Sequence, residues 1–532
     1  MAKHSRQQTG PQTSLFPFFS EYVNSRYAGL VLAGLYFFLM LFVSVKYHII
    51  GDYNVETDFY WSYVPQARQI LEGVVPIEDF RGPVYPMVLA LIALVTKDLF
   101  HAGVVLSVLA ASVSLYLIFE ILRKLFKSDI ALIGMLLVAA NTTFVRYTYT
   151  AGTDMLFMAF VTASMYFLLR DELLKRQSIV FSAVFAALGY LTRYNGLSAA
   201  VGVPLAIVFA NPFQQSWRDR FKTSGMFLGI FLLAISPWGV FCLVQKGSFF
   251  YNRNYLNIAY EMFAKGKVGW DQYWYGEAQK FTSLTEVIFS DPLLFVRALT
   301  KNLIDHAISD MNLLLGWQVG VFTLMGVAAC IRYKPTARAL SYFIIGGAFF
   351  AVLLLVFYGE RFSMLLLPIY IALALKTLTL PAFARHRFWK VMHAGGVIAI
   401  ALLLWTGYSS MEFNKVNIDS GPSEIVSIAG WFHQNFGEAE HGKIVIARKP
   451  HIAYYLNMNL EVFPYVSSYD ELIAHMRKVK ASYLYFGLME AGMRPQFERL
   501  LDQRSAPKEL KPLTYTTNPQ AVLYEVDLGA AQ

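Results

Sequence analysis

Long apolar runs joined by short basic connections constrain this chain more than any other feature. Residues 27–47, 103–122, 225–244, 340–358 and 391–405 are each near the ~20 apolar residues needed to cross hydrocarbon. With 56% hydrophobic and only 15% charged residues, a 532-residue chain has too little polar surface to dissolve as a globule. The sequence therefore specifies a polytopic α-helical membrane protein. A net charge of +9 would suggest nucleic acid in a soluble protein, but here the basic residues sit in connections between apolar runs, which is the positive-inside pattern. The basic start (Lys3, His4, Arg6) leads into a run longer than a signal-peptide core and without a clear small-residue cleavage site, so it is expected to stay as an anchor. Cys242 and Cys330 fall in separate predicted helices near opposite faces and are read as packing residues.

The connections Arg123-Lys124-Lys127, Arg170-Lys175-Arg176, Arg218-Arg220-Lys222, Arg332-Lys334-Arg338 and Arg385-Arg387-Lys390 each carry three basic residues, and all five suit the cytoplasmic side. With the N-terminus inside, crossings are predicted near 27–48, 103–122, 130–147, 153–169, 179–192, 196–210, 223–244, 312–331, 340–358, 362–379 and 392–409. About eleven crossings put the C-terminal tail outside. The run 84–95 must not cross if the basic loops are to agree, so it is assigned as a re-entrant or interface helix. The expected organisation is a cytoplasmic N-terminus (1–26), a transmembrane domain (27–410) with outer loops at 49–102 and 245–311, and an outer-face domain (411–532). In the last of these, 443–447, 482–486 and 521–526 read as strands, and 470–479 and 496–502 as amphipathic helices, making a small α/β domain.

That topology gathers Asp58, Asp79, Arg81, Arg146, Asp154, Arg193, Asn195, Glu360 and Arg361 at the outer ends of different helices. Ionisable groups at membrane depth usually face a cavity or a partner. Asp58, in Glu56-Thr57-Asp58-Phe59-Tyr60, precedes an amphipathic stretch at 60–71 and is placed to accept a proton from a hydroxyl or amine at the water–lipid boundary; the plainer reading is a solvated loop aspartate or helix cap. Asp154 opens a helix, where an acid is favoured by the dipole even without function. Arg361, with Arg81 and Arg193, offers the planar fork that suits a phosphate, against the plainer readings of snorkelling or a salt bridge to Glu360. No metal motif accompanies these residues, and His306 beside Asp305 reads as an interface histidine. The aromatics Phe249-Phe250-Tyr251, Tyr255, Tyr260, Trp270 and 273–275 suit either stacking on a sugar or the ordinary enrichment of Trp and Tyr at bilayer interfaces, the second carrying more weight.

At these residues the chain resembles the membrane glycosyltransferases of the C superfamily, especially the branch of protein O-mannosyltransferases and the lipid A aminoarabinose transferase. The resemblance runs over about residues 30 to 410. It is carried by Glu56 and Asp58 in the first loop, Arg81-Gly82-Pro83-Val84-Tyr85-Pro86, Thr153-Asp154, Leu191-Thr192-Arg193-Tyr194-Asn195-Gly196, and Glu360-Arg361-Phe362 followed by Leu366-Leu367-Pro368. It implies inverting transfer from a polyprenyl-phosphate sugar on the face away from the cytoplasm, in the inner membrane of a bacterium, with no cofactor required. Asp58 would take the catalytic role, with Asp154 and Glu56 as further acidic candidates. Arg361, Arg81 and Arg193 would hold the lipid phosphate, and Tyr60, Tyr85, Tyr194 and Asn195 would contact sugar or acceptor.

Two departures limit what the resemblance carries over. An acid-lysine-proline-proline motif is replaced by Arg81-Gly82-Pro83, and Glu56 and Asp58 are separated where the protein mannosyltransferases have adjacent acids. The acceptor, whether lipid, glycan or protein, is therefore left open. The rival reading is a transporter or flippase for a lipid-linked or anionic substrate, which would more often show internal repeats and discontinuous helices at the midplane.

Overall fold

The computed structural model describes residues 14–17, 26–170, 174–388 and 391–529. Lys3, His4, Arg6 and Lys390 lie outside these residues. Apolar runs of this length fold as helices because the bilayer interior offers the backbone no other partner. Every predicted span falls on a helix or on two consecutive helices: Arg26–Tyr47, Leu99–Leu125, the pair Ser128–Ala139 and Thr142–Tyr149, then Thr153–Leu169, Lys175–Thr192, Leu197–Leu205, Trp217–Lys246, Trp317–Arg332, Ala337–Leu353, Leu367–Leu378 and Ala394–Asp419. Among the described residues, four of these helices and the longer stretch Glu360–Leu378 are long and apolar enough to cross a membrane alone, and the bent pair, broken at 63°, makes a sixth. Others, such as Thr153–Leu169 and Trp317–Arg332, would extend only about 25 Å at 1.5 Å per residue, short of a ~30 Å hydrocarbon core. Helix length alone thus supports five or six crossings, and the count of eleven is not established by it.

The run read as re-entrant or interfacial is the helix Val84–Thr96, whose 13 residues reach about 20 Å. The amphipathic stretch ahead of it begins as a single π turn, Phe59–Tyr63, and continues as the helix Val64–Leu71. Leu99–Leu125 is the buried centre of the bundle and packs against Arg26–Tyr47 and Thr153–Leu169. Gly103 lets it approach the first loop, since a Cβ there would sit 2.7 Å from the Phe59 ring and 2.9 Å from the Ala151 Cβ.

The final long helix does not stop near 409 but runs to Asp419, so the C-terminal fold begins with the helix Ser423–Phe436. Five strands follow: β1 Ile444–Ala447, β2 Asn459–Val462, β3 Tyr483–Gly487, β4 Leu510–Thr517 and β5 Gln520–Val526. They form one sheet in the order β2-β1-β3-β5-β4, parallel across β2-β1-β3 and antiparallel across β3-β5-β4. β3 is buried along its whole length, as a strand covered on both faces must be. The predicted helix at 496–502 is instead a run of 3-10 turns, Pro495–Leu501, while the helix Tyr469–Val479 forms as expected, capped by Ser468, whose side chain accepts from the Glu471 amide.

Candidate active site

Asp58 caps the π turn Phe59–Tyr63 and makes no hydrogen bond to that turn with its side chain. Its carboxylate faces guanidinium groups instead: Arg81 Nη2 donates to Oδ2 at 2.6 Å, and Arg361 Nη2 lies 3.7 Å from the same oxygen. Arg193 forms a short ion pair with Asp154 and also donates to Thr153 Oγ1 at 3.2 Å. Burial pushes the Asp58 carboxyl upward, but Arg81, Arg361, Arg193 and Lys449 together outweigh it and hold the group below the usual carboxylate range. The Asp58 side chain remains 38% exposed, so it is reachable.

Local sequence explains how four separate segments converge. Gly82 lets the first loop lie directly on the end of the helix Lys175–Thr192, because a Cβ there would collide with the Leu191 carbonyl. That contact brings the loop carrying Arg81 against the helix end that Arg193 caps. Arg361 enters on the turn Glu360–Ser363, and Phe362 lies under both Arg361 (4.8 Å from guanidinium to ring centre) and Arg193 (5.5 Å). Arg361 therefore turns to Asp58 while its neighbour Glu360 stays exposed.

The other expected residues are placed differently. Glu56 is fully buried and occupied: His48 Nε2 (2.8 Å) and the Asp52 amide (2.9 Å) share Oε2, and the Ala151 amide donates to Oε1 at 2.6 Å. Tyr60 is buried against Phe100, His451 and Tyr454, its hydroxyl accepting from the Gly51 amide at 3.0 Å. Tyr85 packs edge-on to Tyr63 with its hydroxyl sealed from solvent. Tyr194, half-buried, accepts from Trp238 Nε1 at 3.3 Å, and Asn195 Oδ1 is buried without a hydrogen-bond partner. Arg146 pairs with Asp52 at 3.1 Å, and Asp79 joins the long loop to the first through Tyr251 (2.7 Å) and Arg253 (3.3 Å).

Most of the long loop's aromatics pack on one another. Tyr260, Trp270, Tyr273 and Trp274 form a cluster with Phe80 and Phe357, and Tyr273 donates to the Leu256 carbonyl at 2.6 Å. His306 is buried against Tyr358 and lines a recess of about 260 Å³ with Lys265, Asn302 and Ser309; none of its walls is Asp58 or one of the three arginines.

Sequence reasoning missed the C-terminal domain's part in this region. Tyr53 donates to Glu424 Oε1 at 2.7 Å, His451 Nε2 lies 3.1 Å from the Asp52 carbonyl, and Lys449 Nζ donates to Thr57 Oγ1 at 3.1 Å. No local pattern announces contacts between residues almost 400 positions apart.

Compared with known proteins, residues 80–241 match the family model described as dolichyl-phosphate-mannose-protein mannosyltransferase, a segment that contains Arg81, Asp154 and Arg193 but neither Asp58 nor Arg361. Over 96% of this chain and all of the other, the structure superposes on ArnT from Cupriavidus metallidurans bound to undecaprenyl phosphate, with a TM-score of 0.58 at 12% identity. The chain has the fold of the C-superfamily membrane glycosyltransferases. The same C-superfamily architecture relates it to the oligosaccharyltransferase AglB of Archaeoglobus fulgidus, solved with an inhibitory peptide and a dolichol-phosphate (TM-score 0.54, 12% identity, 97% of this chain and 75% of that one). It also relates the chain to the arabinofuranosyltransferase AftD from Mycobacteria (TM-score 0.51, 13% identity, 95% and 40%). No curated protein sequence matches the chain.

Proposed function

We propose that this protein transfers a sugar from a polyprenyl-phosphate donor to a lipid, glycan or protein acceptor, with inversion, on the outer face of a bacterial inner membrane. The observation that carries the reading is one reachable carboxylate, Asp58, shared by Arg81 and Arg361, with Arg193 and Asp154 alongside. Two solved proteins of the same fold hold lipid phosphates, one undecaprenyl phosphate and the other a dolichol-phosphate.

In this reading Asp58 accepts the proton of the attacking hydroxyl or amine as that atom bonds to the anomeric carbon. The bond from the anomeric carbon to the phosphate oxygen breaks, and the electron pair leaves with the lipid phosphate. Arg81, Arg361 and Arg193 then meet charge that grows during the step, where fixed donors contribute most. The arginines have a second effect. Free of ligand, they hold Asp58 ionised and weakly basic; a phosphate that takes over their hydrogen bonds leaves Asp58 less compensated and a stronger base. Asp154 orients Arg193, and Glu56 shapes the loop that presents Asp58. Tyr60 and Tyr85 pack that loop, which leaves Tyr194 and Asn195 as the expected contacts to sugar or acceptor.

Incubating the purified full chain with radiolabelled polyprenyl-phosphate sugars and a host membrane extract tests the proposal. A labelled product dependent on both supports it. Uptake or flipping of a lipid-linked substrate with no new glycosidic bond would move the transporter reading ahead.

A further inference from the structure

The C-terminal domain reaches the first loop through a short segment that is fixed at both ends. At its start the Arg448 amide donates to Glu490 Oε1 at 3.0 Å, inside the domain. At its finish His451, fully buried, meets the Asp52 carbonyl and stacks edge-on to Tyr53 at 4.9 Å. Between them stands Lys449, whose Nζ donates to Thr57 Oγ1 at 3.1 Å. Thr57 in turn donates its hydroxyl proton to the Tyr53 carbonyl at 2.5 Å, which leaves its oxygen lone pairs for the lysine. Thr57 is the residue before Asp58. A lysine half-withdrawn from water and held on a rigid segment costs desolvation and side-chain entropy, and a surface tether would not need it.

We propose that Lys449 is a positioning residue of the active site, supplied by the C-terminal domain: it fixes Thr57, and so the setting of Asp58, and brings a cation from outside the membrane domain to the arginines around that carboxylate. This rests on the reading of Asp58 given above. Lys449, seated on the neighbouring Thr57, is one of four cations whose charge acts on Asp58. The other three are Arg81 from the first loop, Arg193 from the link between two helices, and Arg361 from the turn Glu360–Ser363. The acids Glu78 (3.8 Å from Arg81) and Asp154 draw on the same arginines, and Tyr63 lies under Arg81. Two of the arginines are thus divided between acids. The tail is then part of the catalytic apparatus.

The test follows the Asp58 carboxyl directly, by infrared difference spectra of the full chain against pH, with Asp58→Asn used to assign the band. Lys449→Met should raise its titration midpoint by on the order of half a pH unit, because a cation that favours the carboxylate has been removed. Lys449→Arg should restore it. Where transfer is measured, the acid limb of kcat/KM should move with the same sign, while undecaprenyl phosphate, used as the donor probe, should bind within about twofold of wild type. An unchanged midpoint in Lys449→Met overturns the proposal, as does a shift that Lys449→Arg fails to restore. If wild type carries out no transfer, the functional reading falls while the infrared result still decides the role of Lys449.

Discussion

Arg81 and Asp58, 23 positions apart, meet through a 2.6 Å hydrogen bond that Arg361 flanks at 3.7 Å from the same oxygen. The pair is the hinge of the site, because the guanidinium groups proposed to hold a phosphate are those that hold Asp58.

Asp58→Asn should abolish transfer while preserving folding and undecaprenyl phosphate binding, since the amide keeps the volume and loses the proton-accepting charge. Turnover under saturating donor is the measurement. Near-native turnover would send the search for the base to Asp154 and then to Glu56.

Arg361→Ala should fail at the donor. Loss of a charge-assisted contact costs about 1.5 to 3 kcal/mol, roughly 10- to 150-fold in undecaprenyl phosphate affinity. Arg81→Ala should weaken the donor and also shift the acid limb of the rate profile upward, because it removes the cation closest to Asp58. Titration of each variant with the lipid phosphate separates the two effects.

Glu56→Gln should behave as a folding defect. The carboxylate accepts from two backbone amides and faces His48, and an amide nitrogen in its place turns a donor toward a donor. The expected loss is about 1 to 3 kcal/mol, read as a lower melting temperature, with weaker transfer following from a loosened first loop.

Glu490 gives the C-terminal domain a pH dependence. Burial, opposed by the Arg448 and Gly487 amides and reinforced by Glu424, pushes its carboxyl up to about 7. The folded state therefore favours the protonated form, so its stabilising contribution is complete below the ordinary carboxylate range and is lost as pH rises through about 7, by roughly 3 kcal/mol at most. The melting temperature of the full chain should fall from pH 5 to pH 8.5, and Glu490→Gln should remove most of that slope.

Much of this was legible in the sequence, for reasons tied to particular residues. Asp58, Arg81, Asp154, Arg193 and Arg361 stood out because charge at the end of an apolar run is costly and therefore informative. Their pairing was not legible: Arg361 had Glu360 as an adjacent partner yet turns to Asp58, a choice made by tertiary packing. Glu56 looked like Asp58 in composition, and only burial separates an anchor from a reachable acid. In the tail, β1, β3 and β5 were readable as apolar strands. The missed β2 and β4 are the two edges of the sheet, where half-exposed residues such as those of Asn459–Val462 blur the alternation. The 3-10 run Pro495–Leu501 has helical spacing over too few turns to declare its type.

The contacts of Tyr53 with Glu424 and of Thr57 with Lys449 join positions 371 and 392 residues apart. At about 5 to 20 residues per second, the ribosome adds the tail's half of this joint about 20 to 80 seconds after the first loop has been made. A chain that stalls after Arg361 but before Glu424 holds Asp58 and its three arginines without these two contacts to the first loop. The first loop is in this sense completed by a segment that is made nearly 400 residues later.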